Sequence, residues 1–178
     1  MINSIYIVSG ISGAGKTTVS RLLAATFERG GHIESDQLQK LIVRGALWPD
    51  EEPQDEAMRQ LRLRAHDAAI LAMSFFYAGF TPIIDDIVIG SRLDDFLSEL
   101  SGRPVSFVML LPRKEIARTR DAERAEKHVF DIWEHLDEVA RSTRRVGLWL
   151  DTSDLTAEET VAAIRLRALE ALVDSNAL

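Results

Sequence analysis

Apolar residues along the chain fall into two alternating patterns. Short continuous runs, "SIYIVS" (4–9), "GHIES" (31–35), "FTPIIDD" (80–86), "PVSFVMLL" (104–111) and "GLWLD" (147–151), read as buried strands. Between them, apolar positions recur at three and four residues. Val19, Leu22, Leu23, Thr26 and Phe27 form one such stripe, and Gly30-Gly31 is predicted to stop that helix. Further helices are predicted over about 36–44, 54–78, 91–101, 113–126, 129–143 and 157–173, the last opened by Thr156 and Glu159 at capping-box spacing. Strand and helix in alternation predict an α/β fold, a parallel sheet wrapped by helices.

Composition narrows the picture. The chain has 178 residues, 46% of them apolar, so one domain covering 1–178 with a sizeable core is expected. No apolar run approaches the ~18 residues of a membrane span. The opening "MINSIYIVSG" has neither the basic start nor the cleavage site of a signal peptide, so a cytoplasmic protein is expected. There is no cysteine, which excludes disulfides and thiolate metal sites, and the four histidines are scattered. His128 and His135 share a helical face and read as a surface pair. With 21 basic against 28 acidic residues the net charge is −7, which disfavours a nucleic-acid partner and favours a small-molecule one. Basic residues nevertheless concentrate at Arg113, Lys114, Arg118, Arg120, Arg124 and Lys127.

The most specific motif is "GISGAGKTT", residues 10–18, in which Gly10, Gly15, Lys16 and Thr17 fit G-x-x-x-x-G-K-[ST] between a strand and a helix. Glycines at 10, 13 and 15 let successive backbone N–H groups turn inward at the positive end of the helix that starts near Lys16. The anion held is a nucleotide phosphate, bound by Gly10, Ser12, Gly13, Ala14, Gly15, Lys16, Thr17 and Thr18. Lys16 reaches the β- and γ-phosphates, and the Thr17 hydroxyl is a ligand for Mg²⁺.

Two features point from binding to transfer. Asp36 in "HIESDQLQKLI" follows the second strand at the carboxyl edge of the sheet, where a carboxylate can take the proton of an attacking hydroxyl. The alternative is that Ser35 or Asp36 caps the next helix. In "LLPRKEIARTRDAERAEK", Arg113, Arg120 and Arg124 lie within about 20° of one helical face at ~100° per residue, with Ala117 between them. A mobile helix carrying that stripe, about 112–128, can close over a triphosphate as a lid. Ile83 and Ile84 bring Asp85 and Asp86 to the same edge. Alternation sends them to opposite faces: Asp85 is assigned to the metal and Asp86 to the substrate or a turn.

These segments, with "LDTSDLTAEETV", resemble the chloramphenicol phosphotransferase group of P-loop small-molecule kinases, related to gluconate and shikimate kinases and zeta-type toxin kinases. The resemblance implies a five-stranded parallel sheet with a helical lid, ATP with Mg²⁺, and transfer to a small-molecule hydroxyl. It makes Asp36 the base, Arg120 and Arg124 the lid arginines, and the residues around Thr152 the loop for the nucleotide base. It leaves the oligomeric state open. The segment at about 36–78 is expected to cover the acceptor. Its acidic residues Asp50, Glu51, Glu52, Asp55 and Glu56 would disfavour an anionic one, the preferred alternative being an exposed acidic loop near no ligand. Two alternatives remain from sequence: a regulatory NTPase switch, for which no water-positioning residue stands out, and a polynucleotide 5′-hydroxyl kinase, which the net charge opposes.

Overall fold

The computed structural model describes residues 3–123, 130 and 134–173. Five strands, β1 (Ile5–Ser9), β2 (Gly30–Glu34), β3 (Thr81–Asp85), β4 (Val105–Leu110) and β5 (Leu148–Leu150), form one sheet in the order β2-β3-β1-β4-β5. Every pairing is parallel. Strands buried on both faces need no polar alternation, and β1, β3 and β4 are buried at every position. All five strands therefore deliver their carboxyl ends to one edge.

Register settles which helix covers which face. Tyr6, Ile83 and His32 lie side by side across β1, β3 and β2, and the Tyr6 ring meets Phe27, just past α1 (Lys16–Ala25), with centroids 5.7 Å apart. Val8, Asp85 and Glu34 follow two residues later on that same face. The opposite face carries Ile7, Ile84 and Ile33. There the 24-residue α3 (Gln54–Tyr77) packs on the sheet, its Phe75 ring 3.2 Å from where a Cβ on Gly31 would stand. The remaining helices are α2 (Ser35–Gln39), α4 (Arg92–Glu99), α5 (Lys114–Ala122), α6 (Leu136–Ser142), α7 (Ala157–Leu166) and α8 (Ala168–Ala171).

Several sequence expectations are corrected. Gly30 and Gly31 do not stop α1, which ends at Ala25; they are the first two residues of β2. A Cβ at Gly30 would stand 1.9 Å from the Ala24 carbonyl oxygen, so glycine is required there by close approach. The helix expected over 36–44 ends at Gln39, because the Gln39 side chain turns to the next loop: its Nε2 donates to the Leu47 carbonyl (2.9 Å) and to Gln60 Oε1 (3.1 Å). Leu41, read as part of that helix's apolar face, is 72% exposed. The helix expected over 157–173 breaks at Arg167 into α7 and α8. After α8 the chain reaches the part of β4 that the three-residue β5 leaves uncovered, and Leu172 bridges Ser106 there. The Thr156–Glu159 capping box is present in both directions. The expected helix at 129–143 is seen as α6, and His128 lies outside the described residues.

The two glycines opening β2 separate close packing from flexibility. Gly30→Ala places a methyl group into the backbone of α1 and is expected to cost about 1–3 kcal/mol in urea unfolding, whereas Gly31→Ala meets only the Phe75 side chain and should cost less. Equal losses for the two variants would contradict the packing described.

Candidate active site

The phosphate loop is built where β1 meets α1. Ser9, the last residue of β1, is locked to the loop after β3: its Oγ donates to the Val88 carbonyl (2.9 Å) and accepts from the Val88 N–H (3.0 Å). The chain then turns through Gly13 and Gly15, both at positive φ, and Gly15 caps α1 in the left-handed region. Residues 10–14 are buried and Thr17 is half-buried. Lys16 folds back over the loop, its Nζ donating to the Ile11 carbonyl at 3.1 Å. Thr18 is exposed. Gly10, Ser12, Ala14, Lys16 and Thr17 are thus brought together in one turn at the carboxyl edge, against the N-terminus of a ten-residue helix.

On the α3 side of the sheet the edge carries a buried ionic cluster that sequence reasoning missed. Arg64 of α3 reaches between two carboxylates, Nη1 donating to Asp36 Oδ1 at 3.3 Å and Nη2 to Asp86 Oδ1 at 3.0 Å. Arg92, the first residue of α4, donates to Asp86 Oδ2 at 3.1 Å, and the Ile87 N–H donates to Asp86 Oδ1 at 2.7 Å. Burial would push the Asp86 carboxyl up, but Arg64 and Arg92, helped by the Ile87 N–H, pull it down to about 2. The Arg64 side chain is 6% exposed, whereas that of Asp36 is 35% exposed and within reach of a ligand. Asp36 is no helix cap. Glu34 occupies that position, with no side-chain capping bond, and Ser35 is already helical.

Asp85 lies on the other face, beside α1, as alternation requires. His32 Nε2 of the neighbouring strand donates to its Oδ2 at 2.5 Å. Glu34, paired with Asp85 in register, is a second carboxylate on this face. Among the described residues no group of three or more His, Asp or Glu is placed to hold a metal by itself. Thr17 with one carboxylate nonetheless fits Mg²⁺, which takes few protein oxygens and fills its remaining positions with phosphate and water.

The arginine stripe of α5 does not hang free over the loop. Arg120 donates through Nη2 to the carbonyls of Thr152 (2.9 Å), Ser153 (3.3 Å) and Leu155 (3.3 Å). Arg113 forms a two-bond pair with Asp154 at 3.0 and 2.8 Å. Both arginines therefore hold the loop after β5, the one containing Thr152, whose own hydroxyl is buried with no partner among the described residues. Arg124 lies outside the described residues.

His32, Arg64 and Arg92 escaped the sequence analysis. Arg64 had left a trace: it sits on the stripe Ala57, Leu61, Ala65, Ala68 and Ala72, which α3 buries, and a charge there must find partners.

Residues 3–169 match the family of chloramphenicol phosphotransferase-like proteins. No match is found among curated protein sequences. Among solved structures the chain is similar to an unliganded sugar kinase from Janibacter sp. HTCC2649, at 17% identity over 96% of each chain with a TM-score of 0.67. It is also similar to a shikimate kinase from Acinetobacter baumannii in complex with shikimate, at 22% identity over 95% of this chain and 94% of that one with a TM-score of 0.62. An APS kinase from Mycobacterium tuberculosis in complex with AMPPNP and APS matches at 12% identity over 95% and 99% with a TM-score of 0.67. At these identities the structures share the fold.

The Asp86 cluster gives a pH signature. Its carboxyl is lowered from 3.8 to about 2 in the folded protein, so the stability it supplies is complete above about pH 4 and is lost as pH falls towards 2. Asp86→Asn leaves two guanidiniums without their counter-charge and is expected to destabilise by about 3–5 kcal/mol at neutral pH. It should also remove part of the wild-type loss of stability between pH 4 and 2. Parallel pH profiles in denaturant unfolding would rule this out.

Proposed function

The chain belongs to the chloramphenicol phosphotransferase-like family and is an ATP-dependent kinase acting on a small-molecule hydroxyl, and we propose that Asp36 is the base that prepares that hydroxyl for attack. The observation that carries this is the placement of Asp36. Its carboxylate is reachable, held by a buried guanidinium, and at the same sheet edge as the phosphate loop. The acceptor hydroxyl gives its proton to Asp36, its oxygen bonds to the γ-phosphorus, and the bond from that phosphorus to the β–γ bridging oxygen breaks to release ADP.

The phosphate loop, through its N–H groups and Lys16, holds and orients the transferring group. Thr17 and Asp85 are the residues that would hold Mg²⁺, which when bound neutralises charge on the phosphates. Arg120 fixes the loop at Thr152 against the nucleotide base, and Arg124 is assigned with it by family resemblance. Asp86 holds Arg64 and Arg92 and, through Arg64, the base; its part in acceptor binding is through that scaffold.

The acceptor belongs with this charge arrangement. Two guanidiniums, Arg64 and Arg92, already face two carboxylates, Asp36 and Asp86. The cluster has no surplus positive charge to offer an anion. The loop at 46–53, which leads into α3, carries Asp50, Glu51 and Glu52. A neutral or cationic hydroxyl compound, an antibiotic of the chloramphenicol kind or a metabolite, suits it better than an acid. No helix among the described residues is long and apolar enough to cross a membrane, and a cytoplasmic site of action, where ATP is supplied, belongs to the same proposal.

Phosphorylation of a panel of neutral, cationic and anionic hydroxyl compounds, read by mass spectrometry, tests the acceptor class; turnover of anions alone would reverse it. With an accepted compound, Asp36→Asn should lower transfer by ~10²–10⁴ with ATP affinity nearly unchanged. Full transfer by that variant would remove Asp36 from the chemistry. Lys16→Ala should abolish transfer in a protein whose circular dichroism is unaltered, and normal turnover would overturn the assignment of the phosphate loop. Arg120→Ala, acting through the loop it holds, is expected to raise the KM for ATP more than it lowers kcat. A fall in kcat alone would instead place the guanidinium on the transferring group.

A further inference from the structure

Asp121, in the last turn of α5, is 2% exposed and takes no part in the chemistry above. Its Oδ1 accepts from the Ser12 hydroxyl at 2.7 Å, and its Oδ2 accepts from the Phe130 N–H at 2.8 Å. Ser12 is in the phosphate loop, while Phe130 is anchored in the core with 4% exposure. One helical turn earlier, Ala117 of α5 touches the next residue of the loop. A Cβ on Gly13 would stand 1.9 Å from the Ala117 carbonyl oxygen. Ala117 and Asp121 are four residues apart and share a face of α5, so two consecutive loop residues, Ser12 and Gly13, are seated on that face at two points.

We propose that Asp121 is a positioning residue for nucleotide binding, which fixes the conformation of the phosphate loop by holding the Ser12 hydroxyl while its second oxygen anchors the same carboxylate to Phe130. The inference rests on the phosphate-loop assignment and extends it to a residue that touches no nucleotide. A loop that binds anions through backbone N–H groups works only if those groups already converge. Glycines, which give the loop its shape, also leave it free to take other shapes. An external tether removes that freedom before ATP arrives, so less ordering is needed on binding. The tether uses a charged acceptor, and hydrogen bonds to charged groups are the stronger kind. It also gives the inner face of α5 (Lys114–Ala122) a defined partner, since that face is part of the loop's seat.

The substitutions separate position from charge. In Asp121→Asn the amide oxygen can accept from the Phe130 N–H while the amide NH₂ donates to Ser12 Oγ, so both links survive without the charge. Asp121→Ala removes both. Titration calorimetry of Mg·ATP binding is expected to show affinity about tenfold weaker for Asp121→Ala and within about threefold of wild type for Asp121→Asn, the size of change given by one charge-assisted hydrogen bond. Ser12→Ala should weaken binding in the wild-type background and have almost no further effect in Asp121→Ala, since the two groups act as one unit. Unchanged or tighter binding by a folded Asp121→Ala protein overturns the proposal, as do additive effects of Ser12→Ala and Asp121→Ala. If Asp121→Ala does not fold, Ser12→Ala made in wild type and in Asp121→Asn decides: a clear loss of affinity in both backgrounds supports the proposal, because asparagine still holds the hydroxyl, and no loss in either overturns it. A wild-type protein with no Mg·ATP affinity would overturn the phosphate-loop assignment itself, whereas normal ATP binding without phosphorylation of any acceptor would overturn only the function proposed for Asp36.

Discussion

A guanidinium removed from water has to be met by negative charge, and the architecture around Arg64 follows from that requirement. Its partners come from separate elements: Asp36 from α2 and Asp86 from the residue after β3. Satisfying both at once fixes where α3 lies along the sheet and how far α2 can stray from it. Arg92 completes the arrangement by joining α4 to the same Asp86. Such a cluster contributes less net stability than its charges suggest, because each ion has lost its hydration. What it contributes is a defined position for Asp36 at the rim, where the carboxylate stays reachable while the group holding it is sealed inside.

The parallel sheet does complementary work on the other face. Because β1, β2 and β3 all end at one edge, Val8, Glu34 and Asp85 arrive together, and the phosphate loop starts just beyond them. Alternation then divides the labour between two adjacent residues. Asp85 turns towards α1 and His32, and Asp86 towards α3 and α4. A one-residue slip of β3 would exchange the two carboxylates between the α1 face and the α3 face. The bond between Ser9 and Val88 opposes such a slip, as it pins the chain three residues beyond β3 to the end of β1.

What could be read from the sequence follows the range of the interaction involved. Strands β1, β3 and β4 were legible because burial on both faces leaves an uninterrupted apolar run, and the phosphate loop was legible because its chemistry is confined to nine consecutive residues. Asp36, Asp85 and Asp86 could be placed at the edge by counting from the ends of strands. Arg64 could not be placed as their partner, since it lies 28 residues from Asp36 and 22 from Asp86. The early end of α2 depended on the Gln39 and Gln60 amides, two polar side chains that look like surface residues until they are found bonded to each other at 3.1 Å inside the protein. Gly30 was misread for the same reason. Its need for glycine comes from the Ala24 backbone at its side and not from the helix end before it.

The arginine stripe of α5 shows the limit of arguing from one face of one helix. Spacing placed Arg113, Arg120 and Ala117 together correctly, but it could not tell what the face would meet. In the structure the face is shared between two neighbours. Ala117 and Asp121 seat the phosphate loop, and Arg113 and Arg120 grip the loop that contains Thr152. The two segments assigned to opposite ends of the nucleotide, phosphates and base, are thus referenced to a single rigid helix. A displacement of α5 moves both contacts together. The distance between them is therefore set by the span of helix from Arg113 to Asp121, which side-chain motion alters far less than it would two independent loops. On the assignment proposed for these two loops, α5 is the element that spaces the phosphate loop from the loop at Thr152.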